Sequence, residues 1–454
     1  MSKFVPNTFQ ACRHPIRSRS TFATLIFTAM LHQIDPDAHG PHGAAMADAV
    51  STCVHCGFCL AACPTYQELG QEADSPRGRI ILMKEVLEGT LDLETAATHT
   101  DRCLGCLACE PACPSGVPYR DLITPFRALT DKSRKKTPAH RLRRQMAQST
   151  LPYPTRFRLA AMSGRLAKRF SFLVPSALRG MLDLLPDRLP KKEVWRPFYP
   201  AAGARRGRVA LLTGCAQSVL APDINTATVE VLTRNGVEVV VPPEQVCCGA
   251  LSWHVGNLPA AQAFARKNLR AFPTDVDAIV TNAAGCGSGM HEYGLICRGT
   301  PEEQQAEAFA KRTTDVSAYL DQLGPLLPIP DSGRRWRVTY HDACHLASAQ
   351  GVKQQPRHLL SQIPGVELQE IAQPHLCCGS AGTYNIDQPE IAASLGEQKA
   401  ANVLVTEPDV VATGNIGCLT QLNIYLGKRD VTVPVKHTMQ ILRDAYQGRP
   451  LSTE

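Results

Sequence analysis

Long apolar runs are missing from this 454-residue chain: residues 22–31 form a mostly apolar stretch of ten, about half of the roughly 20 that a membrane-crossing helix needs. No Gly-x-Gly-x-x-Gly turn follows a strand-like segment, so flavin or nicotinamide binding by this chain has no support. No secretory signal precedes the cysteine runs, which argues against a disulfide framework, and no histidine pair accompanies them, which argues against zinc sites there. No nucleic-acid module is recognisable, and the aromatics of the basic segment serve apolar helix faces, so nucleic acid is not an expected partner. Arg13, Arg17 and Arg19 precede the apolar stretch without a placed cleavage site. Residues 1–45 read as a disordered leader or a misplaced start, with Met30 and Met46 as alternative starts and no role for Cys12.

Cysteine, by contrast, is abundant, with eighteen in 49.3 kDa. Eight fall in two runs of one spacing, Cys53-x-x-Cys56-x-x-Cys59-x-x-x-Cys63-Pro64 and Cys103-x-x-Cys106-x-x-Cys109-x-x-x-Cys113-Pro114. Three closely spaced thiolates wrap one loop around three irons of a cubane, and the fourth iron takes its ligand from elsewhere. In bacterial-type runs the fourth cysteine serves the other run's cluster. The expected sets are Cys53, Cys56, Cys59 and Cys113 for one 4Fe-4S cluster, and Cys103, Cys106, Cys109 and Cys63 for the second. Gly57 and Gly105 let backbone approach the clusters, and Pro64 and Pro114 turn the chain away from the fourth ligand.

The hydrophobic fraction of 44% and charged fraction of 20% describe an ordinary globular protein, long enough for roughly two to four domains. Charge is uneven: residues 127–208 hold 21 lysines and arginines against four acids. That block offers a surface to anionic headgroups or an acidic partner. Within it, Phe157, Leu159, Leu166, Phe170, Leu173, Leu178, Met181, Leu182 and Leu185 alternate with basic residues, a pattern of short amphipathic helices that suits a membrane surface, a partner subunit or a solvated linker equally. Between the cysteine runs, Ser75-Pro76-Arg77-Gly78-Arg79 reads as a helix start, followed by apolar residues at helical spacing. Arg77 and Arg79 fit either a place beside a cluster or an exposed first turn.

The second half is a duplication. Arg208–Cys215 matches Arg337–Cys344, Cys247-Cys248-Gly249 matches Cys377-Cys378-Gly379, and the segment ending in Cys286 matches that ending in Cys418, at offsets of 129, 130 and 132. Each copy reads as strand, cysteine, helix, strand, Cys-Cys-Gly, helix, strand, cysteine, a parallel α/β unit. Chemistry in such sheets gathers at the carboxyl ends of strands. Cys215, Cys247, Cys248 and Cys286 should therefore converge, as should Cys344, Cys377, Cys378 and Cys418. They are candidates for a further cluster or zinc, or for redox-active thiols. His341 and His345 beside Cys344 read as turn residues able to orient or replace a ligand; His254, His291 and His375 carry no assigned role.

The fold expectation is multidomain: a disordered leader over 1–45, a helical dicluster domain over 46–126, a basic helical linker over 127–207, and α/β Cys-Cys-Gly modules over 208–330 and 331–454. The double run with two Cys-Cys-Gly modules, and the phrases Cys53-Val-His-Cys-Gly-Phe-Cys, Cys63-Pro-Thr-Tyr, Pro76-Arg-Gly-Arg-Ile, Leu376-Cys-Cys-Gly-Ser-Ala-Gly-Thr-Tyr384 and Asn415-Ile-Gly-Cys418, resemble the iron-sulfur subunit of glycolate oxidase, also called glycolate dehydrogenase. The resemblance spans residues 48–445; related subunits serve glycerol-3-phosphate or lactate oxidation and heterodisulfide reduction. It implies a peripheral subunit on the cytoplasmic face of the inner membrane. Electrons would come from FAD on partner flavoprotein subunits oxidising glycolate to glyoxylate and go to quinone or another acceptor, with no substrate site on this chain. A thiol-disulfide reductase acting through the modules is the mechanistic alternative. In the heterodisulfide reductase relatives a fifth cysteine completes each module; here those positions are Gly289 and Gln421.

Overall fold

The computed structural model describes residues 31–135, 137–168, 182, 185, 186 and 188–452. Cys12, Met30, Phe170, Leu173, Leu178 and Met181 lie outside the described residues.

The first domain is helical. Ser75 caps the helix Pro76–Leu87 by accepting the Gly78 N–H at 2.9 Å, and Pro76 occupies the first turn, where a missing N–H leaves no bond unmade. Ile80, Met83 and Leu87 recur along one face and pack with Met46, Val50, Leu122, Ile123 and Phe126. Residues 34–45, expected in the leader, belong to this domain instead. Ile34 joins its core, His39 Nε2 lies 2.9 Å from the Leu87 carbonyl, and buried His42 places Nε2 2.8 Å from the Leu295 carbonyl. The turn Asp37–His42 is 3-10 with two residues out of helical geometry, so no apolar period marks it in the sequence.

The domain also runs past residue 126. The helix Arg120–Thr130 crosses that boundary, and Arg127, counted above in the basic block, is buried. Its guanidinium donates to the carbonyls of Thr100 and Cys103 at 2.6 Å each and of His254 at 3.1 Å. The helices Pro138–Thr150 and Pro154–Lys168 follow. The second lays Phe157 and Ala161 against Val219 and leaves Leu159, Met162 and Leu166 exposed.

Among the described residues, nine strands form two sheets. β1 (Phe198–Tyr199), β2 (Gly207–Leu212), β3 (Val237–Val240), β4 (Ala278–Thr281) and β5 (Thr313–Asp315) lie in the order β1-β3-β2-β4-β5. β6 (Trp336–His341), β7 (Val366–Glu370), β8 (Val410–Thr413) and β9 (Val435–His437) lie in the order β7-β6-β8-β9. Every pairing is parallel except that of β1 with β3. β1 brings the end of the expected linker into the first module's sheet. The duplication is visible in detail: Leu212 pairs with Thr281 as His341 pairs with Thr413. Asp277 and Asp409 each accept the N–H of the neighbouring strand's arginine, Arg208 or Arg337, at 2.7 Å. β1, β5 and β9 have two or three residues each, too few for any alternation to be read.

In each sheet the chain leaves its central strand towards one side and later crosses to the other, opening a crevice at the carboxyl ends of β2/β4 and β6/β8. The modules share one apolar core, in which Val209, Leu211 and Leu232 meet Val338, Tyr340, Met439 and Leu442. Arg443 Nη2 pairs with Asp223 at 3.0 Å across them. No described helix is long and apolar enough to cross a membrane.

Candidate metal centres

Cys53, Cys56 and Cys59 line one cavity together with Cys113 of the other run, and Cys109 and Tyr119 also reach it. Its loop is tight because Gly57 adopts φ 83°, a conformation that a side chain disfavours, and a Cβ there would stand 2.9 Å from Arg77 Nη1. Arg77 closes that side of the cavity, donating to the His55 carbonyl at 2.9 Å. Cys113 Sγ accepts the Val117 N–H at 3.5 Å and lies 3.4 Å from the Ser115 hydroxyl. This cage reaches the surface: Cys56 is exposed and Phe58 is 67% exposed.

The second cage is interior. Cys103, Cys106 and Cys109 are buried, and Cys63 of the first run stands close enough for its charge to act on both Cys106 and Cys109. Arg79, which the sequence left free to be an exposed helix-start residue, is buried beside this cage. It donates to Cys63 Sγ at 3.8 Å, to Thr65 Oγ1 at 2.9 Å and to the His99 carbonyl at 2.7 Å. Gly105 N–H and Tyr119 Oη donate to Cys103 Sγ at 3.4 and 3.9 Å. Asp74, fully buried, pairs with Arg79 at 3.5 Å and also meets Arg102 at 2.9 Å and His99 at 3.0 Å.

Burial pushes the Cys59 thiol up to about 11 and the Cys106 and Cys109 thiols well above the usual range. Such thiols are poor nucleophiles by themselves, and a bound cation offsets the desolvation that opposes their thiolates. Every described cysteine is a free thiol. Soft sulfur donors, backbone N–H groups aimed at them and flanking arginines fit thiolate-ligated iron-sulfur clusters.

The buried cage touches the second module. Leu104, Cys106 and Ala108 pack in one cluster with Cys344, Cys377 and Tyr384, and the Cys344 charge acts on Cys106. Tyr384 Oη donates to the Arg102 carbonyl at 2.8 Å. The strand ends of the modules meet each other as well: Ala284 N–H donates to the Gly414 carbonyl at 3.2 Å, and Gln350 Nε2 to the Ala284 carbonyl at 2.9 Å.

In each module the four cysteines come together. Cys215 and Cys247 sulfurs lie 3.4 Å apart, and the Cys248 thiol is within hydrogen-bonding reach of Cys247 and Cys286. Cys344 and Cys377 sulfurs lie 3.8 Å apart, the Cys378 thiol is within hydrogen-bonding reach of Cys377 and Cys418, and Asn415 Nδ2 donates to Cys418 Sγ at 3.4 Å. The fifth positions hold no substitute thiol. A Cβ on Gly289 would sit 2.4 Å from Ala250 Cβ, so the close approach of two helices takes the space that a cysteine needs. Gln421 is buried and donates to the Ala392 carbonyl at 3.3 Å.

His345 Nδ1 lies 3.6 Å from Cys344 Sγ, and its ring meets that of His254 at 5.3 Å between centroids. Burial, helped by His345 and Arg127, holds His254 down at about 3, so it is neutral. Burial also lowers His291 and His375. His341 is not a turn residue: it ends β6, buried against Cys378 and Cys418.

Glu292 was invisible to sequence reasoning, being one acid in a helical stretch. It is buried, accepts Trp253 Nε1–H at 2.6 Å, and is pushed up to about 7 by burial, against the pull of Trp253 and Arg120. The folded state therefore binds this proton more tightly than the unfolded chain, where a glutamate titrates near about 4.3. Its stability contribution is complete below the unfolded value and declines as pH rises through about 7. Glu292→Gln should flatten that decline by roughly 3 kcal/mol, read from denaturant midpoints between about pH 4 and pH 8.

Residues 49–117 match the family described as 4Fe-4S dicluster domain, and residues 209–291 and 338–423 each match that described as Cysteine-rich domain. The chain is 37% identical over 418 residues to the probable glycolate oxidase iron-sulfur subunit of Bacillus subtilis (strain 168), covering 87% of this chain and 93% of that protein. It is 34% identical over 407 residues to the glycolate oxidase iron-sulfur subunit of Escherichia coli (strain K12), covering 88% and 95%. Lactate utilization protein A of Oceanobacillus iheyensis is 31% identical over 245 residues, 53% of this chain and 98% of that protein. Being 37% and 34% identical to two such subunits over 87% and 88% of its length, the chain belongs to the family of glycolate oxidase iron-sulfur subunits.

Proposed function

We propose that this chain is the electron-transfer subunit of a glycolate dehydrogenase complex. It holds two 4Fe-4S clusters, one on Cys53, Cys56, Cys59 and Cys113 and one on Cys103, Cys106, Cys109 and Cys63. Bound clusters supply one-electron redox chemistry; the chain positions them and sets their potentials through burial, N–H groups and the arginines at 77, 79 and 127. FAD on partner flavoprotein subunits takes two electrons from glycolate. They pass singly through this chain towards quinone or another acceptor.

The observation that carries the reading is the pairing of cages. One reaches the surface at Cys56, where a partner's redox group can approach. The other is interior and flanked by Arg79 and Arg127, whose charges act on Cys103 and favour an added electron. The test is the assembled complex with and without this chain, assayed for glycolate-dependent dye reduction. Glycolate should still bleach the flavin when the chain is missing, while quinone reduction stops. Unchanged quinone reduction, or anaerobically purified chain with almost no iron, refutes the reading.

A peripheral position on the cytoplasmic face of the inner membrane fits the helix Pro154–Lys168, with exposed Leu159, Met162 and Leu166 between Arg156, Arg158 and Arg165. As described it is not long and apolar enough to cross a membrane, but its apolar edge can enter the headgroup layer. Co-sedimentation with anionic vesicles should weaken as salt rises, and triple replacement of Leu159, Met162 and Leu166 by serine should lower it at every salt concentration. Equal binding by that variant removes the membrane role of this helix.

A further inference from the structure

The two modules differ in ways that their duplication isolates. β2 and β6 are equivalent six-residue strands, and their last positions are Leu212 and His341. His341 is fully buried, and neither ring nitrogen finds an oxygen or nitrogen partner. The polar atoms against it are sulfurs: its ligand nitrogen, Cys378 Sγ and Cys418 Sγ all lie within 4.8 Å of one another. A buried, unpartnered imidazole is a cost that a bound cation removes.

The second difference is a charge. The missing Cβ of Gly249 faces Ala261 and that of Gly379 faces Ala392, a register that makes Asn268 and Lys399 equivalent. Asn268 is neutral and holds the loop, accepting the Val246 N–H at 3.0 Å and donating to the Cys247 carbonyl at 3.1 Å. Lys399 is buried and donates to the Gln373 carbonyl at 2.9 Å; burial disfavours its ammonium, and the nearby Cys378, Cys377 and Cys418 charges act the other way.

Spacing decides the kind of centre. Sulfurs on a tetrahedron with metal–sulfur bonds of about 2.3 Å stand roughly 3.8 Å apart, and the His341 nitrogen, Cys378 Sγ and Cys418 Sγ, all within 4.8 Å of one another, form a set compact enough for one ion. Thiols of the first cysteine run instead stand around a cavity. We propose that the second module, and not the first, holds a single tetrahedral ion of the zinc type, ligated by His341, Cys378, Cys418 and one thiolate of the Cys344–Cys377 pair. Three thiolates and a neutral imidazole around a divalent ion leave one negative charge, which the buried Lys399 ammonium balances. In the first module leucine replaces the imidazole and an amide replaces the cation. The ion would cap the wall of the interior cage without carrying electrons, so the assignment does not depend on the electron-transfer reading.

Full-length protein, purified anaerobically from medium containing both metals, should contain a single zinc per chain beside about eight irons. His341→Leu, which installs the first module's residue, should lose the zinc and keep the iron and its EPR signals; His341→Cys should keep both. Zinc-edge X-ray absorption of the unmodified protein should show an imidazole shell with sulfur, and it serves as the deciding measurement where a variant does not fold. Protein free of zinc, zinc retained at full occupancy by His341→Leu, an all-sulfur shell, or loss of about four irons in place of zinc would each overturn the assignment. The iron signals test the function proposed above separately.

Discussion

Replacing Cys113 with serine is expected to remove the cluster of the first cysteine run and to spare that of its own. Cys113 lines the cavity formed by Cys53, Cys56 and Cys59, where its sulfur accepts the Val117 N–H, while Cys63 stands with Cys106 and Cys109. Iron should fall from about eight to about four per chain, and glycolate-dependent quinone reduction to background. Pairs of substitutions identify which cluster is lost, because two changes at one cluster cost no more than one. Cys53→Ser with Cys113→Ser should match either alone; Cys103→Ser with Cys113→Ser should strip the chain of iron. The opposite pattern would mean that each run ligates its own cluster.

Arg79→Ala should strongly destabilise the helical domain that carries both cysteine runs. Arg79 is 1% exposed and shares its fork among Cys63, Thr65, Asp74 and the His99 carbonyl. Its removal leaves the carboxylate of Asp74, itself fully buried, short of one cation and strips a donor from the interior cage. Breaking a buried pair from one side costs about 3–5 kcal/mol, a large share of the roughly 5–15 kcal/mol that holds a domain together. Denaturant midpoints and iron content should fall together. Arg79→Lys should recover part of the stability, since it returns the charge without the planar fork that reaches several acceptors. A variant as stable as the parent would show that Asp74 is satisfied by Arg102 and His99 alone.

The sequence carries these features unevenly, for physical reasons. Closely spaced cysteines form a local pattern, so the runs Cys53–Cys63 and Cys103–Cys113 stand out in the sequence. Ser75-Pro76 marks a helix start because capping is local. The duplicated modules are legible because a one-residue slip would turn a strand's other face inwards, which keeps their register nearly constant. Long-range placement leaves no such mark. His341 looks like part of a turn until β6 is seen to end on it, and Lys399 is one more lysine in a helix until the helix packs over Cys377 and Cys378. Arg127 looks like one of a basic block, yet it is enclosed among Thr100, Cys103 and His254. Residues 34–45 look unstructured because their anchors, Leu87 and Leu295, are far away in the chain.

Rapid-freeze EPR of the assembled complex after mixing with glycolate tests the central claim most directly. Signals of reduced 4Fe-4S clusters belonging to this chain should rise at least as fast as the complex turns over. Cys113→Ser should abolish the signal of the surface-side cluster and, with it, quinone reduction. Quinone reduction at full rate while both clusters of this chain stay oxidised would contradict the account.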